Sequence, residues 1–435
     1  MTAPGVERGA QGRAAKIGFT WLALGFAVLL VAGVTGQGLA AGDDGESVRA
    51  GVDKLWFEVG SLVDHPNASG AGLLHGAVSA KGSSGAWEYA LGARFDANTQ
   101  FGDREFTNLR ADYGENFLRW RGDETRVTVG TQNVLWGRVD EISPIDRMSR
   151  ADLTRLILDK LPERRRAVPA VRMERFSDDF KIDVVWLSAF DDAVMPDRRS
   201  VWNPVDTRDG RLLGIGEVPL IQGFRVKEAG PGTGGGGIRV TRGGDELDYG
   251  FSIQRVRQSQ PYYRVAPGVL QAVHPFSTVV GGEFETEHMG ATWRMEAAWS
   301  SDVPVTTRAF QFLTKPGFDV VLGTEFFPGD SETRVTLQLG GHKTLVDRRV
   351  LDRTEIYTFN GEIEHPFALG RWRADLRFVV GLDERELYLN PKLTYTGIDQ
   401  HEIFVAAHVF GGGEKTLGGY YEDNDMVMVG WQAKF

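Results

Sequence analysis

The chain has 435 residues, 55 of them glycine, and a formal charge of −10. A quarter of the residues are charged and the mean hydropathy is −0.24, which excludes a bundle of membrane-spanning helices. A hydrophobic share of 42% excludes a disordered chain. With no cysteine there are no disulfides, thiolate metal sites or thiol nucleophiles. The acidic balance argues against a nucleic-acid partner.

At the N-terminus, Arg8, Arg13 and Lys16 precede an apolar run over residues 17–34, followed by Gly36, Gly38, Ala40 and Ala41 and then by Asp43, Asp44 and Glu46. A basic region, an apolar region and a Gly38-x-Ala40 site read as a secretory signal peptide over residues 1–41. Residues 42–51 form a short lead and 52–435 the mature domain. The alternative is an uncleaved anchor, since 18 residues just span a bilayer. Cleavage removes Glu7 with three basic residues and takes the charge to −12.

Further along, residues 149–161 read as a short helix in a long loop. Ser149 serves as N-cap, Asp152 stands three residues on, Leu153, Leu156, Ile157 and Leu161 share a face, and Pro162 stops it. Arg164, Arg165 and Arg166 follow as constriction-loop candidates. Such a helix either folds into the lumen of a barrel and narrows it, or caps the outer wall. The glycine run 234–237 lacks the Lys-Ser/Thr of a phosphate loop and reads as flexibility.

From there the chain alternates. Leu247, Tyr249, Phe251 and Ile253 share one parity, with Asp248, Ser252 and Gln254 on the other. Trp293, Met295 and Ala297 alternate with Arg294 and Glu296. Val335, Leu337 and Leu339 alternate with Thr336 and Gln338. Trp372, Ala374, Leu376 and Phe378 alternate with Arg371, Arg373, Asp375 and Arg377. Ile403, Val405 and Val409 follow the pattern, though Phe404 and Phe410 blur it, and Val427, Val429, Trp431, Ala433 and Phe435 end the chain. Strands of about 10 residues exceed the soluble norm of about 5–6 and suit a tilted crossing of a bilayer. An arginine row on the lipid side costs roughly 2–4 kcal/mol per residue, so it belongs to a wet lumen. Connections alternate between long and short, with 137–167, 191–236, 258–276, 300–317, 343–353 and 412–424 long. Residues 383–385 break the alternation, and Pro391 removes a ladder donor inside a strand. The fold class is therefore all-β: a transmembrane antiparallel up-and-down barrel of about 18 strands, an even number between 14 and 18.

The alternating last strand ending in Phe435 resembles the C-terminal signature by which Gram-negative outer-membrane barrels are recognised by the barrel-assembly machinery. Gly130-x-Gln132, Trp136-Gly137, Asp140, Pro144 and Asp146 resemble the Gly-x-Gln, Trp-Gly, Pro-x-Asp pattern of a large proteobacterial family of outer-membrane proteins. They are also similar to the matching strand and loop of the alginate-export porin family. Those families place Asn-Pro before the Asp; here the segment is Ser143-Pro144-Ile145-Asp146, and Asn203-Pro204-Val205-Asp206 comes later. The resemblance implies an 18-strand-like channel in the outer membrane. In physical terms Gly130 permits close strand approach, Trp136 suits the membrane interface, and Asp146 pins the loop; contact with a solute is the alternative.

The expected function is a passive outer-membrane channel for hydrophilic solutes. Its expected lining is Arg371, Arg373, Asp375, Arg377, Arg294, Glu296, Lys392 and Lys434. The arginine row points to anionic solutes such as acidic saccharides; ordinary ion pairs within the wall are the alternative. Partners are outer-membrane lipid and a small hydrophilic solute or polysaccharide. No cofactor or metal is expected. A non-conducting adhesion barrel is the second reading and a lipid hydrolase the third. None of the eight histidines stands in a recognisable catalytic motif, His274 near Ser277 included.

Overall fold

A computed structural model describes residues 47–139, 143–230, 232–244, 246–329 and 331–435. The expected signal peptide, the start of the lead and Asp140 lie outside the described residues. Eighteen antiparallel strands close into a barrel among the described residues. They are β1 (Ser47–Leu62), β2 (Gly70–Ser84), β3 (Trp87–Phe101), and β4 in two pieces (Phe106–Tyr113 and Asn116–Arg121). Next come β5 (Thr125–Gln132), β6 (Val168–Phe176), β7 (Phe180–Leu187), β8 (Gly235–Arg242) and β9 (Leu247–Arg257). Then follow β10 (Phe276–His288), β11 (Ala291–Thr306), β12 (Phe312–Phe326), β13 (Arg334–Thr344) and β14 (Glu355–Phe367). The last are β15 (Trp372–Gly381), β16 (Glu386–Ile398), β17 (His401–Gly412) and β18 (Met426–Lys434). β18 closes on β1, from Lys54 opposite Lys434 to Leu62 opposite Met426.

Period two decides which side is which. Val427 and Val429 on β18 point outward and are about half exposed, as are Phe251 and Ile253 on β9. Met428, Gln254, Glu296 and Thr394 point inward and are buried. An exposed belt of Leu, Ile, Val and Phe around a polar interior is stable only where acyl chains cover it. The chain is thus a transmembrane barrel of the outer-membrane kind.

Two irregularities in the pattern have local causes. Phe404 and Phe410 face inward because their neighbours inside are apolar or aromatic. Phe410 lies 5.7 Å from Trp202 and 5.0 Å from Tyr388, and the Lys392 ammonium sits 4.0 Å over Phe404. Pro391 lies between the ladder pairs Leu389–Val409 and Lys392–Ala406 of β16 and β17. The Asn390 side-chain amide donates to the Ala407 carbonyl at 2.8 Å, so a neighbouring side chain supplies a donor beside the one proline lacks.

Long loops gather at one end and short turns at the other. β11 and β12 run further than the sequence suggests, so the expected loop 300–317 shrinks to 307–311. The brief connection 382–385 lies at the long-loop end, where Arg353 from the 345–354 loop pairs with Asp383 at 3.0 Å and Glu386 at 3.2 Å.

Candidate functional site

The described part of the loop between β5 and β6, residues 133–139 and 143–167, does not stand above the barrel. It folds into the lumen and is fastened to the wall by side chains from at least nine strands. Its entry is built by the Gly130 to Gly137 motif. Gly130 has φ +130°, and a Cβ there would overlap the Asn116 carbonyl oxygen of β4. The buried Gln132 amide donates to the Ala170 carbonyl at 3.1 Å. Trp136 lies inside the barrel rather than at the membrane interface: it is 1% exposed, packs with Val134, Met148 and Val185, and donates its indole N–H to Asp183 at 3.0 Å. The physical reason is that the inward face of β7 turns apolar at Val185 and Leu187, which gives the indole a dry seat with one acceptor. Gly137 has φ +121° beside Ser143 and Glu296. Pro144 offers its carbonyl to Arg147 Nε at 2.9 Å. Asp146 accepts from Arg165 at 2.8 Å and from the Ser149 hydroxyl at 2.8 Å, although burial pushes its carboxyl up.

The expected helix over 149–161 does not form. Arg150–Ala151 instead pairs as a short strand with Arg165–Arg166, Leu156–Leu158 makes one 3-10 turn, and Leu161–Arg164 is a single α-turn. The capping pattern fails because both side chains are engaged elsewhere: Ser149 donates to Asp146, and Asp152 accepts from Thr154 and Arg166. Pro162 begins the α-turn instead of ending a helix, as its fixed φ favours. Leu153, Leu156 and Leu158 join an apolar cluster that includes Tyr388, Phe404 and Phe410.

Charge holds the loop in place. Arg138 pairs with Asp248 at 2.9 Å and Glu283 at 3.2 Å, and Arg147 with Asp319 at 3.0 Å. Arg150 pairs with Asp112 at 3.1 Å, and Arg155 pairs with Glu58. Lys160 reaches Glu362 and Glu364, while Glu163 meets Lys54 at 2.7 Å. Arg166 bridges Asp152 and Asp96. Glu296 accepts from the backbone N–H groups of Arg138 and Val139 and from Ser143. Buried polar groups of this kind are costly unless paired, and here each carboxylate meets a donor from the loop.

The loop divides the interior. At the long-loop end lies a vestibule of about 350 Å³, lined by Leu156, Ile157, Leu213, Tyr262 and Leu417 among others. An adjoining lobe of about 360 Å³ shares Ile157, Leu213, Asp352 and Asn360 with it. Toward the short turns lies a chamber of about 340 Å³ lined by charged side chains. The segment 155–160 stands between them: Leu156 and Ile157 line the vestibule, and Arg155, Leu158, Asp159 and Lys160 line the chamber.

Of the residues read from the sequence as lining, Arg373, Arg377, Lys392 and Lys434 border this chamber. Arg373 pairs with Asp375 at 3.1 Å and Glu402 at 3.4 Å. Arg294 pairs with Glu285 at 2.7 Å, and Glu296 is covered by the loop it holds. Arg371 sits in the short turn before β15 and is exposed. Arg164 borders the vestibule, while Arg165 and Arg166 are engaged in fastening the loop. Sequence reading missed the carboxylates that receive the loop: Glu58, Asp96, Asp183, Glu283 and Asp319. Their signal was an acidic residue on the inward parity of a strand, matched by seven arginines within residues 138–166.

Two further clusters are spoken for. Glu362, Glu364 and Asp375 converge, but Lys160, Arg334 and Arg373 neutralise them. Thr344, His342 and Asp319 form a hydrogen-bonded line, 2.9 Å and then 2.7 Å. Arg147 shares that aspartate, and the Thr344 N–H is donated to the Thr354 carbonyl.

No family model matches the chain, and no curated protein matches it. Solved structures match by fold. OccAB4 of Acinetobacter baumannii aligns with 92% of this chain and 100% of its own at 9% identity, with a TM-score of 0.51. OccAB2 of Acinetobacter baumannii covers 90% and 98% at 10% identity, TM-score 0.49. The outer membrane channel DcaP of Acinetobacter baumannii covers 92% and 99% at 8% identity, TM-score 0.44. OccAB4 agrees with the barrel fold described above.

Proposed function

We propose that the chain is a passive outer-membrane channel for small hydrophilic solutes, with a weak preference for anions. The observation that carries this reading is the charge of the chamber below segment 155–160. Lys54, Arg155, Lys160, Arg373, Arg377, Lys392 and Lys434 line it against Glu58, Asp159, Glu163, Glu364 and Glu402. A cationic excess inside a chain of net charge −10 is a local field that attracts anions. Pairing of Arg373 with Asp375 and Glu402 weakens that field, so the selectivity is modest. The likeness of the Gly130 to Asp146 motif to alginate-export porins favours acidic saccharides as the anions. Cavities of about 340–360 Å³ on either side of the loop favour short saccharides over a polymer. The same reading includes a cleaved signal over residues 1–41 and delivery to the barrel-assembly machinery through the strand ending in Phe435.

Planar-bilayer recording tests this. A salt gradient should give a reversal potential of anion-preferring sign, reduced or abolished in Arg373→Ala/Lys392→Ala. Absence of any unitary current in several salts overturns the channel and favours an adhesion barrel. A wild-type current with cation preference overturns the role of the chamber.

A further inference from the structure

The vestibule has the wrong chemistry for a site that handles only ions and sugars. Leu156, Ile157, Leu213, Ile215, Val379 and Leu417 form its apolar wall. Of the residues that line it, only Arg164 is cationic and only Asp352 is a carboxylate. Asp352 is already satisfied: Tyr262 donates its hydroxyl at 2.7 Å and the Thr306 N–H donates at 2.7 Å. Burial pushes the Asp352 carboxyl up, which further quiets its charge. The remaining polar groups at the wall, the Tyr263 hydroxyl and the amides of Gln260 and Asn360, are neutral.

We propose that the vestibule is a binding site for small neutral amphiphiles, molecules with one ring or a short acyl chain and an uncharged hydroxyl or amide. Water in an apolar cavity of about 350 Å³ finds few partners, and an apolar body displaces it favourably. The Gln260 and Asn360 amides then orient the polar end. The occupant rests on Leu156 and Ile157, the outer face of the segment whose inner face carries Arg155 and Lys160 into the chamber. The site thus selects by a rule different from the charge rule proposed for the chamber.

The test is equilibrium binding, so its outcome is independent of conduction. Full-length protein in lipid nanodiscs is titrated with 4-fluorobenzyl alcohol and followed by fluorine NMR line width. Empty nanodiscs provide the baseline, and trifluoroethanol is the small polar control. Wild-type protein should broaden the 4-fluorobenzyl alcohol line beyond empty discs and leave trifluoroethanol at baseline. Leu213→Asp should weaken binding roughly tenfold, the scale of one leucine withdrawn from an apolar wall. Leu213→Trp, which fills the cavity without adding charge, should abolish the excess broadening while the barrel keeps its heat-modifiable gel mobility. Wild type indistinguishable from empty discs overturns the proposal, as does wild-type broadening retained in both variants.

Discussion

Replacing Arg166 by methionine removes one guanidinium while keeping much of the side-chain volume. That side chain is 3% exposed, bonded to Asp152 and, at 3.0 Å, to Asp96, with Asp112 at 3.8 Å. Asp96 retains Arg94 and the His75 ring, and Asp112 retains Arg150. Asp152 is left with Thr154 and with Arg94 at 3.9 Å, so the loss falls on it. Breaking one side of a buried pair costs roughly 3–5 kcal/mol. Burial already holds the Asp152 carboxyl above the usual range, so protonation limits the penalty to the low end, about 3 kcal/mol. β3 keeps its own pairs, so the expected effect is release of the loop, not unfolding of the barrel. Limited proteolysis in lipid vesicles should cut residues 150–166 about 100-fold faster than in wild type. Arg166→Met/Asp152→Asn should recover most of the protection. Cleavage within a few-fold of wild type, or no recovery in the double variant, refutes the reasoning.

Other outcomes follow from the same geometry. Phe251→Arg places a guanidinium among acyl chains and should cost roughly 2–4 kcal/mol in vesicle refolding titrations, whereas the inward Ser252→Arg should not show that lipid penalty. Gly130→Ala drives a Cβ into the Asn116 carbonyl at a φ that L-residues avoid; expected loss is about 1–3 kcal/mol, read from the same titrations. Burial alone would raise the Glu163 carboxyl, but Lys54 outweighs it and holds the group below its ordinary value of 4.5. Stability from that pair is present above the ordinary value and is lost as pH falls through the lowered one. Current noise from the loop should therefore be flat from pH 7 to 5 and rise only once the pH falls below the ordinary value of 4.5; a Glu163→Gln variant should be noisy throughout.

Strand count, closure and orientation were legible because period two with lipid on one side leaves each residue a single choice of face. Phe251 and Gln254 can be assigned from their spacing alone. The loop over 133–167 was not legible in the same way. Its apolar spacing at Leu153, Leu156 and Ile157 matched a helix, but the arginines around it had acceptors many strands away in the sequence. Glu58 lies 97 residues from Arg155, and Asp319 lies 172 residues from Arg147. Long-range ion pairs overrode local propensity, which is why Asp152 receives Arg166 instead of capping a helix. Trp136 was misplaced for a related reason. A tryptophan near a strand end suits either the interface belt or a dry seat inside, and only the position of Asp183 on β7, 47 residues further along the chain, decides between them.

The most direct test of an aqueous path past segment 155–160 uses the absence of native cysteine. Lys392→Cys places a lone thiol in the chamber below the loop. In a planar bilayer of oriented channels, a membrane-impermeant anionic thiosulfonate is added from the long-loop side only. The expected result is a stepwise fall in current and covalent labelling at position 392. No label and no fall in current from that side, while the same reagent reacts from the short-turn side, would contradict a path past segment 155–160 that is open to the anion.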